Sequence, residues 1–531
     1  MQTSYRTLFI GIPLLLSLVA CGGSDSSDTT EGGNQDASLS NLEVAGVPLD
    51  QIFQSNQRDY TGSAGFLHSA INITATANDP GATVSIDGVI VDSGAESPAI
   101  SLDEGINEIV IVITSSGGTV ETYILTVDRA TISEFAEQSY IKASNVGEFH
   151  QFSASVAIDD DTVVVGAPNQ DNSSGAVYVF TRDTFGWNQQ AMLKASNAAN
   201  RDKFGTSVAI DGDTIVVGTT SKDIGSNDVI VNAGAAYVFT RNGNTWTQEV
   251  MLTASNAVSN DAFGTSIDIS GDTLVVSSVR FGQDGTVTGS VYVFTRNGAT
   301  WTERTVLNGG TPQLNAFGIS IAISDDTIVV GDSYDSSNTG GTGNLNFSGA
   351  IYVFTGSGAN WTEQAFLKAS NAGSSDGLGS SVAISGDTVV AGARFGNSNA
   401  GAAYVFNRNN NVWAEQSILT ASNAGSGDGF GTRVAINGDT VVIGSPDHTH
   451  LGATDSGVAY VFIRTDGSWI ERSLLSASNF ESSDGFGSSV AIHDNTLVVG
   501  ATGEDSNGTG DPGDNSVTAA GAAYIWGKPI D

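Results

Sequence analysis

One phrase, repeated seven times, limits what this chain can become. At residues 428–462 it reads DGFGTRVAINGDTVVIGSPDHTHLGATDSGVAYVF. An aromatic-Gly pair (Phe430, Gly431) opens it, a short alternating run follows (Val434, Ala435, Ile436), and Asn437-Gly438-Asp439-Thr440 makes a tight turn. A β-branched run over 441–443 ends at Gly444, a polar loop follows, and residues 458–462 close the unit. Equivalent pairs stand at Phe152-Ser153, Phe204-Gly205, Phe263-Gly264, Phe317-Gly318, Leu378-Gly379 and Phe486-Gly487, spaced by 52 to 61 residues. Self-similarity at such a period is the mark of a repeat architecture.

Each unit holds three or four short runs rich in Val, Ile, Tyr, Phe and Thr, separated by Gly/Asn/Asp/Ser clusters, and no segment shows a 3.6-residue apolar period. These runs read as strands. In the second unit they are A (204–210), B (213–218), C (234–241) and D (246–255). Four antiparallel strands repeated seven times about an axis make an all-β, seven-bladed β-propeller. A superhelical β-solenoid is the alternative, but the spacing is long for its coils. The last unit has A (486–492), B (496–500) and C (521–526) and no D, whereas residues 137–145 (EQSYIKASN) match 415–423 (EQSILTASN) and precede the first A strand. The N-terminal strand is therefore expected to complete blade seven, leaving no open sheet edge.

The phrases FGTSVAI, DTVVVGAP (161–168) and GAAYVF (401–406) resemble the FG-GAP repeats of integrin α-subunit propellers, and more closely the bacterial variety. The resemblance spans about residues 135–526. It does not carry over the integrin calcium loops of the D-x-D-x-D-G type between A and B. Here that connection is only Asp211-Gly212-Asp213-Thr214 or its equivalents, too short to wrap a cation that takes 6–8 oxygens.

Upstream, residues 1–20 read as a lipoprotein signal peptide: Arg6, an apolar run from 8 to 20, then Leu18-Val19-Ala20-Cys21, with Cys21 the lipidated residue. Cys21 is the only cysteine, so intramolecular disulfides are excluded. Gly22 after it points to an outer-membrane destination. Residues 21–37 lack apolar side chains to support ordering and read as a flexible tether. Residues 38–130 alternate like the strands of a small β-sandwich. The order LSNLEVAG, ITATANDPGATVSIDG, LDEGINEIVIVIT and YILTVDR resembles the bacterial cadherin-like β-sandwich domain, which implies a spacer or adhesion module. The linker to the propeller (131–531) is short, which sets the sandwich close against it.

With 57 acidic and 20 basic residues the chain carries a net charge of −37. Nucleic acid and anionic headgroups need a basic footprint, so neither is an expected partner. Function is expected on the face that carries the variable B–C and D–A loops, called the top here, because a rigid scaffold holds those loops. An Asp two residues before the aromatic-Gly pair recurs as Asp202, Asp261, Asp376, Asp428 and Asp484. Each reads as a loop cap bonding a backbone N–H two residues on, or as part of a ligand face. The best cation candidate is blade seven's loop, with Asp505, Asn507, Thr509, Asp511 and nearby Asp514. It has oxygens at alternate positions and a Gly at the turn, but Ser516 stands where a bidentate Glu belongs. Weak calcium is the only cofactor it suggests.

Other chemistry is thin. His448-x-His450 with Asp447 could hold a transition metal but reads as a solvated pair. Residues 373–377 fit the letters G-x-S-x-G without a following helix or a partner His. Arg433 takes a slot that is Ser in most A strands and reads as pairing with a local Asp or facing a ligand. The Trp residues that open the D strands read as blade packing. The expected function is a lipid-anchored, non-catalytic binding or adhesion module of the cell envelope, with a protein or glycan ligand on the top face and the membrane reached through the lipid. The alternatives are a polysaccharide lyase or hydrolase in a top-face cleft, which needs converging acid/base groups, and a structural part of an envelope assembly.

Overall fold

A computed structural model describes residues 33–527, apart from 46, 48, 65–69, 104, 130–134, 227, 283–285, 310–315, 338–344 and 508–514. Cys21, Thr509, Asp511 and Asp514 lie outside the described residues. The seven repeats form seven four-stranded antiparallel sheets. In blade two, A is Ser207–Asp211, B is Thr214–Thr219, C is Ala235–Asn242 and D is Thr245–Leu252, hydrogen-bonded in that order. Strand B is buried at every residue. That explains why it reads as a continuous β-branched run rather than an alternating one.

In blades one to six the aromatic-Gly pair, or its Phe152-Ser153 equivalent, precedes strand A instead of lying in it; in blade seven strand A, Phe486–His493, includes the pair as expected. Gly205 has a φ of +93°, open to glycine and costly for other residues, and a Cβ there would sit 2.8 Å from the carbonyl oxygen of Ala176 in the preceding blade. Phe204 bridges to Gly175 of that blade and packs edge-on against Tyr237 and Phe239 at 5.6 and 6.0 Å. The repeated pair is thus a joint between blades: the ring fills the space while the glycine lets the backbones touch.

Closure occurs as the repeat arithmetic required. Ala136–Ile141 pairs antiparallel with Ala522–Gly527 and is the outermost strand of blade seven. Across the same seam the Ser489 hydroxyl donates to the Ser153 carbonyl at 2.7 Å. On the underside, Arg241 stacks on Trp246 (5.1 Å), donates to Asp213 (2.6 Å) and reaches Thr162 of blade one (3.1 Å). Arg296 with Trp301 and Arg408 with Trp413 repeat this staple. The tryptophans are blade packing.

Ahead of the ring, Asp59–Ala64, Val120–Arg129, Gly105–Thr114, Thr83–Ile86 and Val89–Val91 form one five-stranded sheet in that order, its first pair parallel. Leu39–Val44 and Ile73–Ala77 pair separately and share a core around Tyr60, Ile111, Tyr123 and Leu125. This sandwich meets blade six, whose Arg472 donates to Asp128 at 2.8 Å, close against the propeller as the short linker implied.

Candidate functional site on the top face

The five repeated aspartates cap their own loops, in the opposite direction from the expected one. Asp202, Asp261, Asp376, Asp428 and Asp484 accept the backbone N–H three residues earlier, from Ala199, Val258, Gly373, Gly425 and Glu481, at 2.6–2.7 Å. The D–A loop turns back on itself, so the nearest free N–H lies upstream. Some of these carboxylates are paired as well: Asp202 also takes Lys222 at 3.0 Å, and Asp428 takes His448 at 2.9 Å. His448 is therefore buried and paired, not solvated, and His450 packs edge-on against Phe480 at 4.9 Å. The imidazole is used up by an acid already needed for capping.

Other top-face acids are matched by lysines that stand immediately after strand D. Lys142 pairs with Glu504, Lys194 with Asp171, and Lys368 with Asp335 at 2.9 Å, where it also donates to Ser348 at 2.7 Å. Burial pulls the pKa of Lys142 and Lys368 down even though the carboxylates oppose that. Asp332 beside them is fully buried, accepts the N–H of Ala316 at 2.8 Å, and is pushed up to about 7 by burial and then by Asp335. In the blade-seven loop, Asp505 turns inward to accept the Ala519 N–H at 2.6 Å. Asn507 is half-buried, and the remaining calcium candidates are outside the described residues.

A cluster the sequence reading did not find lies on the opposite face. His493, ending strand A of blade seven, has Asp159 at 3.1 Å from Nδ1 and Asp160 at 3.2 Å from Nε2. Each of the three residues offers one ligand atom within 4.8 Å of the others, close enough for one ion, while the contacts formed are pairings of the two ring nitrogens with different carboxylates. No sequence signal marks it, because the first and last A–B turns meet only when the ring closes.

Two features of the top face stand apart from this pairing scheme. The first is a cup of about 310 Å³ walled by Tyr334, Phe347, Phe395 and Arg394, with Ser375 and Ser380 at its edge. Tyr334 packs edge-on against Phe347 at 5.3 Å and against Phe281 at 6.0 Å, yet these rings stay partly exposed, Phe395 at 48% and Phe281 at 54%. Arg394 lies 4.7 Å over Phe395 and donates to Asp447 at 3.0 Å. Aromatics from the loops of blades four and five, with Phe281 at the end of a blade-three strand, thus form one half-open apolar surface with a cation on its wall. Ser375 of the G-x-S-x-G letters is at this edge, and no histidine among the described residues lines the cup.

The second feature is the central channel, about 450 Å³, lined by the A strands. Its serines are turned into the next blade: Ser155 donates to Gly205 (2.9 Å), Ser207 to Gly264 (2.8 Å) and Ser320 to Gly379 (2.8 Å). At the same slot of blade six, Arg433 cannot do this. It is exposed to the channel and donates only to its neighbour's carbonyl, Thr432, at 2.9 Å. Among the described residues no carboxylate lies in ion-pair reach, so the pairing with a local Asp is not formed. Enclosure by the strands, then the nearby Arg394 charge, lowers its pKa, but a guanidinium stays protonated. Ser380 borders both the channel and the cup, so the two recesses are neighbours.

Comparison with known families agrees with this geometry. The FG-GAP repeat model matches seven times, at 135–180, 187–239, 246–294, 313–354, 361–406, 413–462 and 469–526. The cadherin-like beta sandwich domain model matches 39–130. A protein of Evansella cellulosilytica with the description "Putative membrane protein" is 36% identical over 104 residues, which are 20% of this chain and 16% of that protein. The chain therefore matches about a sixth of that relative's length.

Proposed function

The chain belongs to the FG-GAP repeat family, and from that premise we propose that it is a binding or adhesion module of the cell envelope, engaging a protein or glycan through the top face of the propeller without catalysis. The observation that carries this reading is the half-open aromatic cup of Tyr334, Phe347 and Phe395. Exposed aromatics clustered on loops of a rigid ring, rather than scattered singly, are what a recognition surface needs. Among the described residues the cup walls hold serines, aromatics and Arg394 but no carboxylate pair, a set suited to holding a ligand rather than to acid/base chemistry. Lipidation at Cys21 would supply the membrane tether, and the sandwich would hold the propeller off the surface. No helix among the described residues is long and apolar enough to cross a membrane.

The test is capture of envelope and extracellular-matrix components by the full chain and by a Tyr334→Ala, Phe395→Ala variant. Capture should fall sharply in the variant while its melting stays near the parent's; unchanged capture would remove the cup from the reading. Cys21→Ser should move the protein out of the membrane fraction, and unchanged fractionation of a processed Cys21→Ser protein would remove the anchor.

A further inference from the structure

In a chain with 57 acids and 20 basic residues most described cations are paired. Arg433 shares the lack of a carboxylate in ion-pair reach with Arg201, Lys203 and Arg304, but of these it is Arg433 that lines the channel. Lys142, Lys194, Lys222 and Lys368 are all bound to carboxylates on the top face. The Arg–Trp staples are bound to aspartates beneath. Arg433 is bound to none among the described residues, although a serine at its position would fit the repeat and add a bond to the next blade. Beside it, Arg394 spends one nitrogen on Asp447 and leaves its buried Nε without a partner. Asp447 neutralises Arg394 alone, so the Arg433 charge beside it stays uncompensated among the described residues, and a visiting anion would relieve the repulsion between the two guanidiniums.

The cup adds the second half of the specification. Its volume of about 310 Å³ lies at the lower end of the range for small-molecule sites. Its exposed rings offer electron-rich faces, which attract the C–H groups on the flat side of a pyranose. A polyanion without apolar faces would meet the −37 field of the whole protein and gain nothing from the rings. A neutral sugar would leave the guanidiniums unused. We propose that the cup and the adjoining channel mouth form one site for an acidic saccharide, a uronate ring lying on the aromatic wall and its carboxylate held by Arg433 and Arg394. The planar fork of arginine matches a carboxylate with two parallel N–H donors, and Ser375 and Ser380 stand at the edge where sugar hydroxyls would project. The inference rests on the reading that the top face is the binding face.

The experiment is calorimetric titration of the full chain with oligogalacturonate, its methyl ester and an acidic peptide. It is repeated for Arg433→Ser, Arg433→Lys and Phe395→Ala. Serine is what the sister blades carry at that slot, so Arg433→Ser should fold normally. The inference expects oligogalacturonate to bind and the ester to bind at least tenfold more weakly. It expects Arg433→Ser to lose roughly tenfold to hundredfold in affinity for the acid, Arg433→Lys to recover part of that, and Phe395→Ala to weaken acid and ester alike. Equal binding of acid and ester, unaffected by Arg433→Ser but lost in Phe395→Ala, would overturn the inference and leave the cup as the binding site. Saccharide binding indifferent to all three substitutions would overturn both. Failure of the parent to bind either saccharide, with or without an Arg433-dependent response to the peptide, would overturn the saccharide assignment.

Discussion

Blades two and five carry the same four strands, yet they handle a top-face cation in opposite ways. In blade two, Lys222 lies 9% exposed, against Asp202 of its own entry loop and the Asn197 carbonyl, both at 3.0 Å. In blade five, Arg394 is 38% exposed, lies across the exposed ring of Phe395, and takes its carboxylate from blade six. The first arrangement consumes the cation in holding a loop. The second keeps it at an open wall, next to an aromatic surface that the fold does not need covered. An acidic protein must match many carboxylates internally, so the informative cations are those not spent that way.

The largest expected effect lies on the consumed side. Lys368→Met should leave Asp335 buried without its cation, and breaking a buried pair in this way costs about 3–5 kcal/mol. Chemical denaturation would read this as a lower midpoint with an unchanged slope. A loss within about 0.5 kcal/mol, the usual range for surface changes, would mean that the buried lysines do not hold the top face and would dissolve the contrast.

Asp332 sharpens it through pH. Its native pKa, about 7, is above the unfolded carboxylate value. The native state therefore keeps a proton that the unfolded chain releases, and stability is lost as pH rises from about 4 through about 7. Asp332→Asn keeps the oxygen that accepts the Ala316 N–H and cannot ionise. Parent and variant should melt alike near pH 4, whereas near pH 8 the variant should be more stable by up to about 4 kcal/mol. Because Lys368 faces the same carboxyl, the two substitutions should be non-additive. Parallel pH profiles would place the proton elsewhere.

The smallest effect is expected on the unspent side. Arg433→Ser removes a cation with no carboxylate partner among the described residues, so stability should shift by no more than about 0.5 kcal/mol. It should tilt upward if the new hydroxyl reaches blade seven as its counterparts reach their neighbours. A loss of several kcal/mol in the melting of Arg433→Ser would show that the guanidinium is structural after all.

Most of the fold was legible because a repeat reports every structural constraint seven times. The blade count, the borrowed strand at Ala136–Ile141 and the packing role of Trp246 and its equivalents all follow from comparing one unit with the next. Errors arose where chain geometry, not composition, decides. Phe204-Gly205 reads as strand but stands before it, at the bridge to blade one, whereas Phe486-Gly487, with the same +93° φ, lies inside strand A of blade seven across a register shift. Asp202 reads as capping forward but caps backward, and His448 reads as solvated but is buried against Asp428. The cup was invisible for a different reason. Tyr334, Phe347 and Phe395 sit in loops that no repeat aligns, Phe281 ends a strand B that runs longer than its equivalents, and only the ring brings them together. A usable signal did exist: bulky aromatics in loops otherwise built of Gly, Asp and Ser. Arg433 was visible as a departure from serine, but its inward aim depends on strand A being the innermost of the four.

The borrowed strand also has a bearing on synthesis. Ala136–Ile141 is made before any blade, and its partner, Ala522–Gly527, after all of them. The loop to be closed is almost the whole propeller, so this pairing is the slowest contact to find by chain search. Until it forms, the sheet of the last blade offers bare backbone donors and acceptors along one side, the kind of surface that recruits other chains. A nascent or prematurely terminated molecule is thus left adhesive in the wrong sense, open to a strand from a sister chain. The two-ended clasp works as a check on length, since only a chain carrying both segments can make itself inert.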